Sequence, residues 1–266
     1  YYISPQIWAW KENRIKAIRR DVDAMYVILP FEKDFYEGKH QYPVHFVGHP
    51  LLDAIAARRE VSMEVFKREN GLDERPIIAL LPGSRKQEIA KMLSVMLSVV
   101  GSYHPYQFVI AGAPSLGYDF YRQFIREENV HFVSGKTYDL LSHAHAALVT
   151  SGTATLETAL FRVPEVVCYR GNWISYQIAK RVISLKYISL VNLIMDAPVV
   201  TELIQGELNT RNLKVELDKL LDPAYRDKLQ RDYQALRERL GNEGASRRTA
   251  QAIYDSLQDK RHNDRS

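Results

Sequence analysis

"HAALVTSGTATLETALFRVPEVVCY" occupies residues 145–169. The apolar run AALVTS gives way to small hydroxylated residues, then to the helical pattern of GTATLETALF, then to a second β-branched run, EVVCY. Short apolar runs on either side of one helical segment read as strand, helix, strand. A helical crossover returns the chain to the end of the sheet from which it left, so the two strands lie parallel. A parallel sheet needs cover on both faces, and the fold is therefore an α/β layer structure.

The same alternation extends in both directions. Upstream, strand IIALL (77–81) leads to a helix over KQEIAKMLSVMLSVV with Ile89, Leu93, Met96 and Val100 on one side. Strand YQFVIAG leads to helix YDFYRQFIREEN, and strand VHFVSG to helix YDLLSHA. Downstream, EVVCY leads to a longer helical region from Trp173. Before residue 50, YYIS, DAMYVILP and VHFVGHP read as three strands. They alternate with helices over KENRIKAIRRDV and over FEKDFYEG, the latter stopped by Gly38. A polar helical stretch, ARREVSMEVFKRENGL, separates the two sets, with a boundary near residues 50 to 60. The charged end from Asp222 to Leu257 divides into two helices at Gly241 and Gly244. The expectation is two doubly wound, Rossmann-like parallel-sheet domains, the first of them incomplete. The chain opens on Tyr1-Tyr2-Ile3-Ser4-Pro5, which reads as a piece of a longer protein.

Composition removes several function classes. The chain has 266 residues, 46% of them hydrophobic, and a formal charge of +4. That charge suits phosphate-bearing ligands or an anionic surface, but no dense Lys/Arg block marks a nucleic-acid footprint. No apolar run approaches the roughly 18 residues that a membrane span needs. The single cysteine, Cys168, has no partner for an internal disulfide. His143 and His145 face different ways on a helix and lack further ligands at metal-site spacing, so no metal is expected.

In an open parallel sheet, ligands bind beyond the carboxyl ends of the strands. Four loops there carry candidates. In LLPGSRKQEI, Gly83 turns the chain, Ser84 is placed to cap the next helix, and Arg85 sits at a helix start that favours an anion; a plain cap with a solvated arginine is the alternative. In SGTATLE, Ser151, Gly152, Thr153, Ala154 and Thr155 offer backbone amides and hydroxyls to a phosphate at a second helix start. Glu157 would need Ser or Thr three positions earlier to form a capping box, and that position is Ala154. It is left either to the helix dipole or, as the sharper reading, to accepting the two hydroxyls of a ribose. In FVSGK, Gly135 either exposes backbone to a flat ring or simply turns the chain. In YISLVNLI, Asn192 is either a ligand contact or a buried, satisfied amide. Neither GxGxxG nor GxxxxGK[ST] occurs, which leaves a nucleotide-sugar site.

Taken in order, YYISPQIWAWKENRIKAI, LPFEKDFY, FVGHPLLD, ALLPGSRKQEI, LVTSGTATLE and YISLVNLI resemble the lipid-A-disaccharide synthase family from residue 1 to about 250. The resemblance implies a B-type inverting glycosyltransferase. It would transfer 2,3-diacylglucosamine from UDP-2,3-diacylglucosamine to 2,3-diacylglucosamine 1-phosphate, releasing UDP, with no cofactor. It divides the chain into residues 1–52 as the second half of an acceptor-side Rossmann domain, 53–240 as the UDP-sugar domain, and 241–266 as a helix with a polar tail. The family's UDP contacts map onto Gly83, Ser84, Arg85, Gly135, Ser151–Thr155, Glu157 and Asn192, with Val191 where many relatives carry proline. The family's basic aspartate falls before residue 1, leaving His49 or Asp53 as weak substitutes, so the expectation is a fragment that binds UDP without turnover. The resemblance also implies a cytoplasmic protein of Gram-negative bacteria, peripheral on the inner membrane. The basic, aromatic stretch from Trp173 to Tyr187 reads either as the part that lies on that anionic surface or as a core helix with a solvated basic edge. A second copy of the chain is among the partners it allows. Two other readings remain: a UDP-N-acetylglucosamine transferase or 2-epimerase, and a non-catalytic nucleotide-sugar-binding module.

Overall fold

The computed structural model describes residues 1–171 and 186–263. Trp173, Tyr176, Ile178, Lys180, Arg181 and Ile183 of the expected membrane stretch lie outside the described residues. The described residues form two compact units: Tyr1–Arg58 with those from Ala235 onward, and the described residues of 59–171 together with Lys186–Gln234.

In the first unit, helix α1 (Ile15–Asp21) packs Ile15 and Ile18 against Ile7, Met25, Val27, Tyr36 and Val44. Strands β1 (Tyr26–Val27) and β2 (His45–Phe46) pair in parallel. The expected third strand, YYIS, reduces to one bridge from Tyr2 to Tyr26. Ile3 sits at φ 63, and that left-handed residue breaks the extended backbone before Pro5. Helix α2 (Pro30–Lys33) continues as a π-helical turn, Asp34–Lys39, and so runs through Gly38 instead of stopping there. The buried Glu32 ties these pieces together, accepting hydrogen bonds from Ser4 Oγ, Trp8 Nε1 (3.1 Å) and the Leu29 amide (2.9 Å). That carboxylate accounts for Ser4 and Trp8 in ISPQIWAWK. His49 and Asp53 are engaged at helix starts. His49 Nδ1 accepts the Leu51 amide (3.2 Å) at the start of α3 (Pro50–Ala56), and burial pulls its pKa down to about 4. Asp53 accepts the amides of Gly244 and Ser246, where the last helix begins.

The second unit opens with α4 (Met63–Asn70), capped by Ser62, so the stretch ARREVSMEVFKRENGL is helical only over those eight residues, α3 having ended at Ala56. Its sheet is built from β3 (Ile77–Leu81), β4 (Gln107–Gly112), β5 (Val130–Ser134), β6 (Ala144–Thr150), β7 (Glu165–Tyr169) and β8 (Thr201–Ile204). All five pairings are parallel and the spatial order is β5-β4-β3-β6-β7-β8. Every residue of β3 and β4 is buried, as a central strand covered on both faces requires. The edge strand β8, TELI, has no apolar run to announce it; only Leu203 is buried. Between the strands come α5 (Lys86–Leu97), α6 (Tyr118–Arg122), α7 (Thr137–His143), α8 (Thr153–Leu160) and α9 (Leu190–Met195). Helix α6 ends at Arg122, shorter than the expected run to Asn129. Helices α10 (Thr210–Leu221), α11 (Pro223–Arg239) and α12 (Ala245–Asn263) complete the chain.

Glu165 opens β7 fully enclosed, and among the described residues neither carboxyl oxygen has a hydrogen-bond partner. Burial pushes its pKa well above the carboxylate range. Such a group binds its proton more tightly when folded than when unfolded. Its cost is therefore absent below the unfolded pKa, roughly 4.3, and grows as pH rises toward the folded one. Glu165→Gln should thus be more stable than the parent by a margin that widens by about 1.4 kcal/mol per pH unit across that window. Urea denaturation at pH 5, 6, 7 and 8 measures it, and a margin independent of pH would mean an ionised Glu165.

Candidate functional site

The strand order reverses between β3 and β6, the place where helices leave toward opposite faces and open a crevice. The loops that follow these two strands are PGSR and SGTA. A cavity of about 430 Å³ lies there, lined by Gly83, Ser84, Arg85, Glu88, Ala111–Pro114, Thr137, Thr150–Ala154 and Glu157. The starts of α5 and α8 therefore meet at one site, and each presents amides without intrahelical partners.

Local geometry explains both loops. Gly83 has φ 112, and a Cβ there would run into the Glu88 carboxylate. Ser84 does not cap α5: the residue at the cap position is Arg85, in extended conformation and without a side-chain cap bond. Instead the Ser84 amide points at Glu88 Oε2 (3.4 Å). Gly152 precedes α8 at φ 151, ψ −163, a region essentially reserved for glycine, and no side chain caps that helix. Ser151 Oγ donates to the Ile188 carbonyl (3.1 Å) and Thr155 Oγ1 to the Gly152 carbonyl (2.9 Å). Of the three hydroxyls expected to face a phosphate, these two are turned to the backbone, and Thr153 is the exposed one.

Glu157 is half-buried in the cavity wall and accepts a hydrogen bond from Tyr138 Oη (3.0 Å). Burial raises its pKa and the tyrosine's bond opposes that rise. Burial and the facing carboxylate push Tyr138 up to about 12, so it stays a donor at neutral pH. One oxygen of Glu157 is thus anchored, and the carboxylate is aimed as an acceptor. Gly135 (φ 67) turns the chain from β5 into α7 and does not line the cavity, whereas Thr137 of the same loop does. Asn192 is also elsewhere. Its amide donates to the Val200 carbonyl and to Glu202 Oε1 and accepts from the Val200 amide, all at 2.9 Å. Glu202 in turn accepts from the Ile188 and Ser189 amides, and Ile188 is the residue whose carbonyl holds Ser151. Asn192 thus acts on the site through a relay.

Glu88, Tyr138, Thr137 and Thr150 were not among the sequence candidates. Glu88 carried a signal, an acid at the third position of α5 facing back to the helix start. Tyr138 carried none, because tertiary packing alone joins it to Glu157. Among the described residues no group of three or more His, Cys, Asp and Glu could hold a metal ion.

The profile of the Lipid-A-disaccharide synthetase family matches residues 1–255. Lipid-A-disaccharide synthase of Syntrophus aciditrophicus is 41% identical over 261 residues, which are 94% of this chain and 67% of that protein. The Geobacter sulfurreducens synthase is 37% identical over 265 residues, 97% of this chain and 68% of that one. Among solved structures, the S. aureus MnaA–UDP co-structure superposes with TM-score 0.62 at 14% identity, covering 89% of this chain and 61% of that chain. A putative UDP-N-acetylglucosamine 2-epimerase from Listeria monocytogenes gives TM-score 0.61 at 15% identity, covering 89% and 60%. At those identities the likeness is one of fold. The chain spans about two thirds of the length of the curated relatives and about three fifths of the solved chains.

The two strains at Gly83 separate by mutation. Gly83→Ala should lose roughly 1–3 kcal/mol of stability from positive φ together with the clash against Glu88. Adding Glu88→Ala should recover only the clash. Thermal denaturation of the single and double variants reads the difference, and full recovery would mean that φ at this turn is unstrained.

Proposed function

Since this chain belongs to the lipid-A-disaccharide synthetase family, a family of glycosyltransferases, we propose that its six-stranded unit holds the UDP moiety of UDP-2,3-diacylglucosamine and that the sugar passes to 2,3-diacylglucosamine 1-phosphate. The observation that carries the reading is the meeting of two helix starts and Arg85 at the reversal of strand order, with Glu157 in the same cavity. The diphosphate lies across the amides of α5 and α8. Partial positive charge at both helix ends, with the Arg85 guanidinium, offsets the negative charge that grows on the leaving diphosphate as the glycosidic bond breaks. Those dipoles are fixed before the reaction, so no reorganisation is required during it. Glu157, held by Tyr138, accepts the ribose hydroxyls. The acceptor's hydroxyl still has to lose a proton to a base within hydrogen-bond reach. His49 and Asp53 are poor choices, since their polar atoms hold helix starts.

The acyl chains of both proposed substrates favour a reaction at a membrane surface, and the reading takes that surface to be the cytoplasmic face of the inner membrane. No helix among the described residues is long and apolar enough to cross a membrane. The 2-epimerase reading shares the fold but not the family profile, and MnaA, captured with UDP, is consistent with either chemistry. Competition between acylated and unacylated UDP-glucosamine separates the two, because only the transferase reading favours the acylated donor.

Two titrations by calorimetry test the site. Arg85→Ala should weaken UDP by about 1.5–3 kcal/mol, roughly 10- to 160-fold, through loss of charge-assisted hydrogen bonds. Unchanged affinity would remove Arg85 from the site. Glu157→Gln should weaken UDP far more than 2′,3′-dideoxy-UDP, and equal losses would confine Glu157 to its bond with Tyr138.

A further inference from the structure

An acid in the first turn of a helix gains from the helix dipole, and that accounts for the presence of Glu88 on α5. It does not account for its direction. The side chain bends back past Arg85, the cap residue, and lies over Gly83, where a Cβ would meet its Oε2, Cδ and Cγ together. Glycine at that position is what admits the carboxylate. Oε2 takes the Ser84 amide at 3.4 Å, and among the described residues no cation pairs with Glu88.

Glu88 is thus a half-buried negative charge in the cavity wall, on the same turn whose amides and arginine favour an anion. The hydrogen bond it makes is long and correspondingly weak, so a ligand that breaks it loses little. The charge matters more. An anion that takes the Ser84 amide comes close to the carboxylate inside a partly enclosed cavity, where like charges are screened less than in open water. Neutralising the carboxylate would remove that repulsion and leave an acceptor oxygen in place.

We propose that the Glu88 carboxylate is a built-in competitor of the ligand's phosphates, holding the Ser84 amide against an incoming diphosphate and thereby setting how fast a bound nucleoside diphosphate leaves. The proposal rests on the donor reading in one respect, that the diphosphate reaches the start of α5. Its signature is a dependence on ligand charge. Glu88 acts on the phosphates and not on the nucleoside, so its effect is absent for uridine, present for UMP and largest for UDP. A residue that only held the shape of the loop would weaken phosphate binding when altered, whereas a competitor strengthens it.

Glu88→Gln keeps the size of the side chain and an oxygen able to accept the Ser84 amide, and removes only the charge. The chain and this variant are titrated with uridine, UMP, UDP and pyrophosphate, by calorimetry for UDP and by NMR for the weaker ligands, and UDP release is timed by stopped-flow displacement. The variant should bind UDP about tenfold more tightly, mainly through slower release, with a smaller gain for UMP and uridine within about twofold of the parent. If the parent binds UDP and the variant binds it no more tightly, the proposal is overturned and the donor reading stands. Equal tightening of uridine and UDP would also overturn it, since the change would then lie in the loop and not in the charge. If pyrophosphate tightens in the variant while UDP binds the parent no better than pyrophosphate does, the donor reading fails and the competitor stands. Binding of neither UDP nor pyrophosphate to either chain overturns both.

Discussion

The site depends on one topological fact: β3 and β6 are neighbours although two strands separate them in sequence. Right-handed crossovers send the helices after β3 and β6 to opposite faces, so the loops that begin them diverge and leave a gap between them. Backbone lines that gap, which is why so much of its wall is glycine, alanine and serine. No side chain has to be evolved to create the positive field, because it comes from the unpaired amides of α5 and α8. Arg85 adds an exposed charge to that backbone field.

The carboxylates in this positive site also follow from that base. Two helix starts and an arginine with nothing between them would repel one another. Glu88 lies over the Gly83 turn and answers the Ser84 amide, so the unliganded loop keeps its shape. Under the proposed donor reading, a diphosphate arriving there would compete with Glu88 for the Ser84 amide, and the net gain on binding would be the difference between two anions. That arrangement suits an enzyme that has to release UDP after each transfer, since tight product binding would limit its rate.

Most of the sheet was legible in the sequence because its central strands are buried on both faces and read as unbroken apolar runs: IIALL, QFVIAG and AALVT. What was not legible lies at edges and in short pieces. TELI is a strand only because β7 offers it a ladder, and YYIS fails as one because Ile3 takes a left-handed conformation that no local pattern signals. In the site, the loops were readable from glycine placement and strand ends. The hydroxyl roles were not, because Ser151 and Thr155 could be assigned to carbonyls only with Ile188 and Gly152 in place. Tyr138 was invisible for the same reason.

YISLVNLI illustrates how a motif can serve a site without touching it. Ser189 caps α9, Asn192 clamps that short helix to Val200, and both bond to Glu202 of the edge strand. The Ile188 carbonyl emerges from this knot to take the Ser151 hydroxyl, and Ser151 leads directly into Gly152 and the start of α8. The position of the second helix start is therefore set by a buried polar network some distance along the chain, in which the bonds described support one another. Val191 is wholly buried at the second position of α9, where proline is tolerated because the amide there needs no intrahelical partner. Valine in this chain keeps the same turn and adds a packed side chain, so the departure from proline leaves the relay to Ser151 intact.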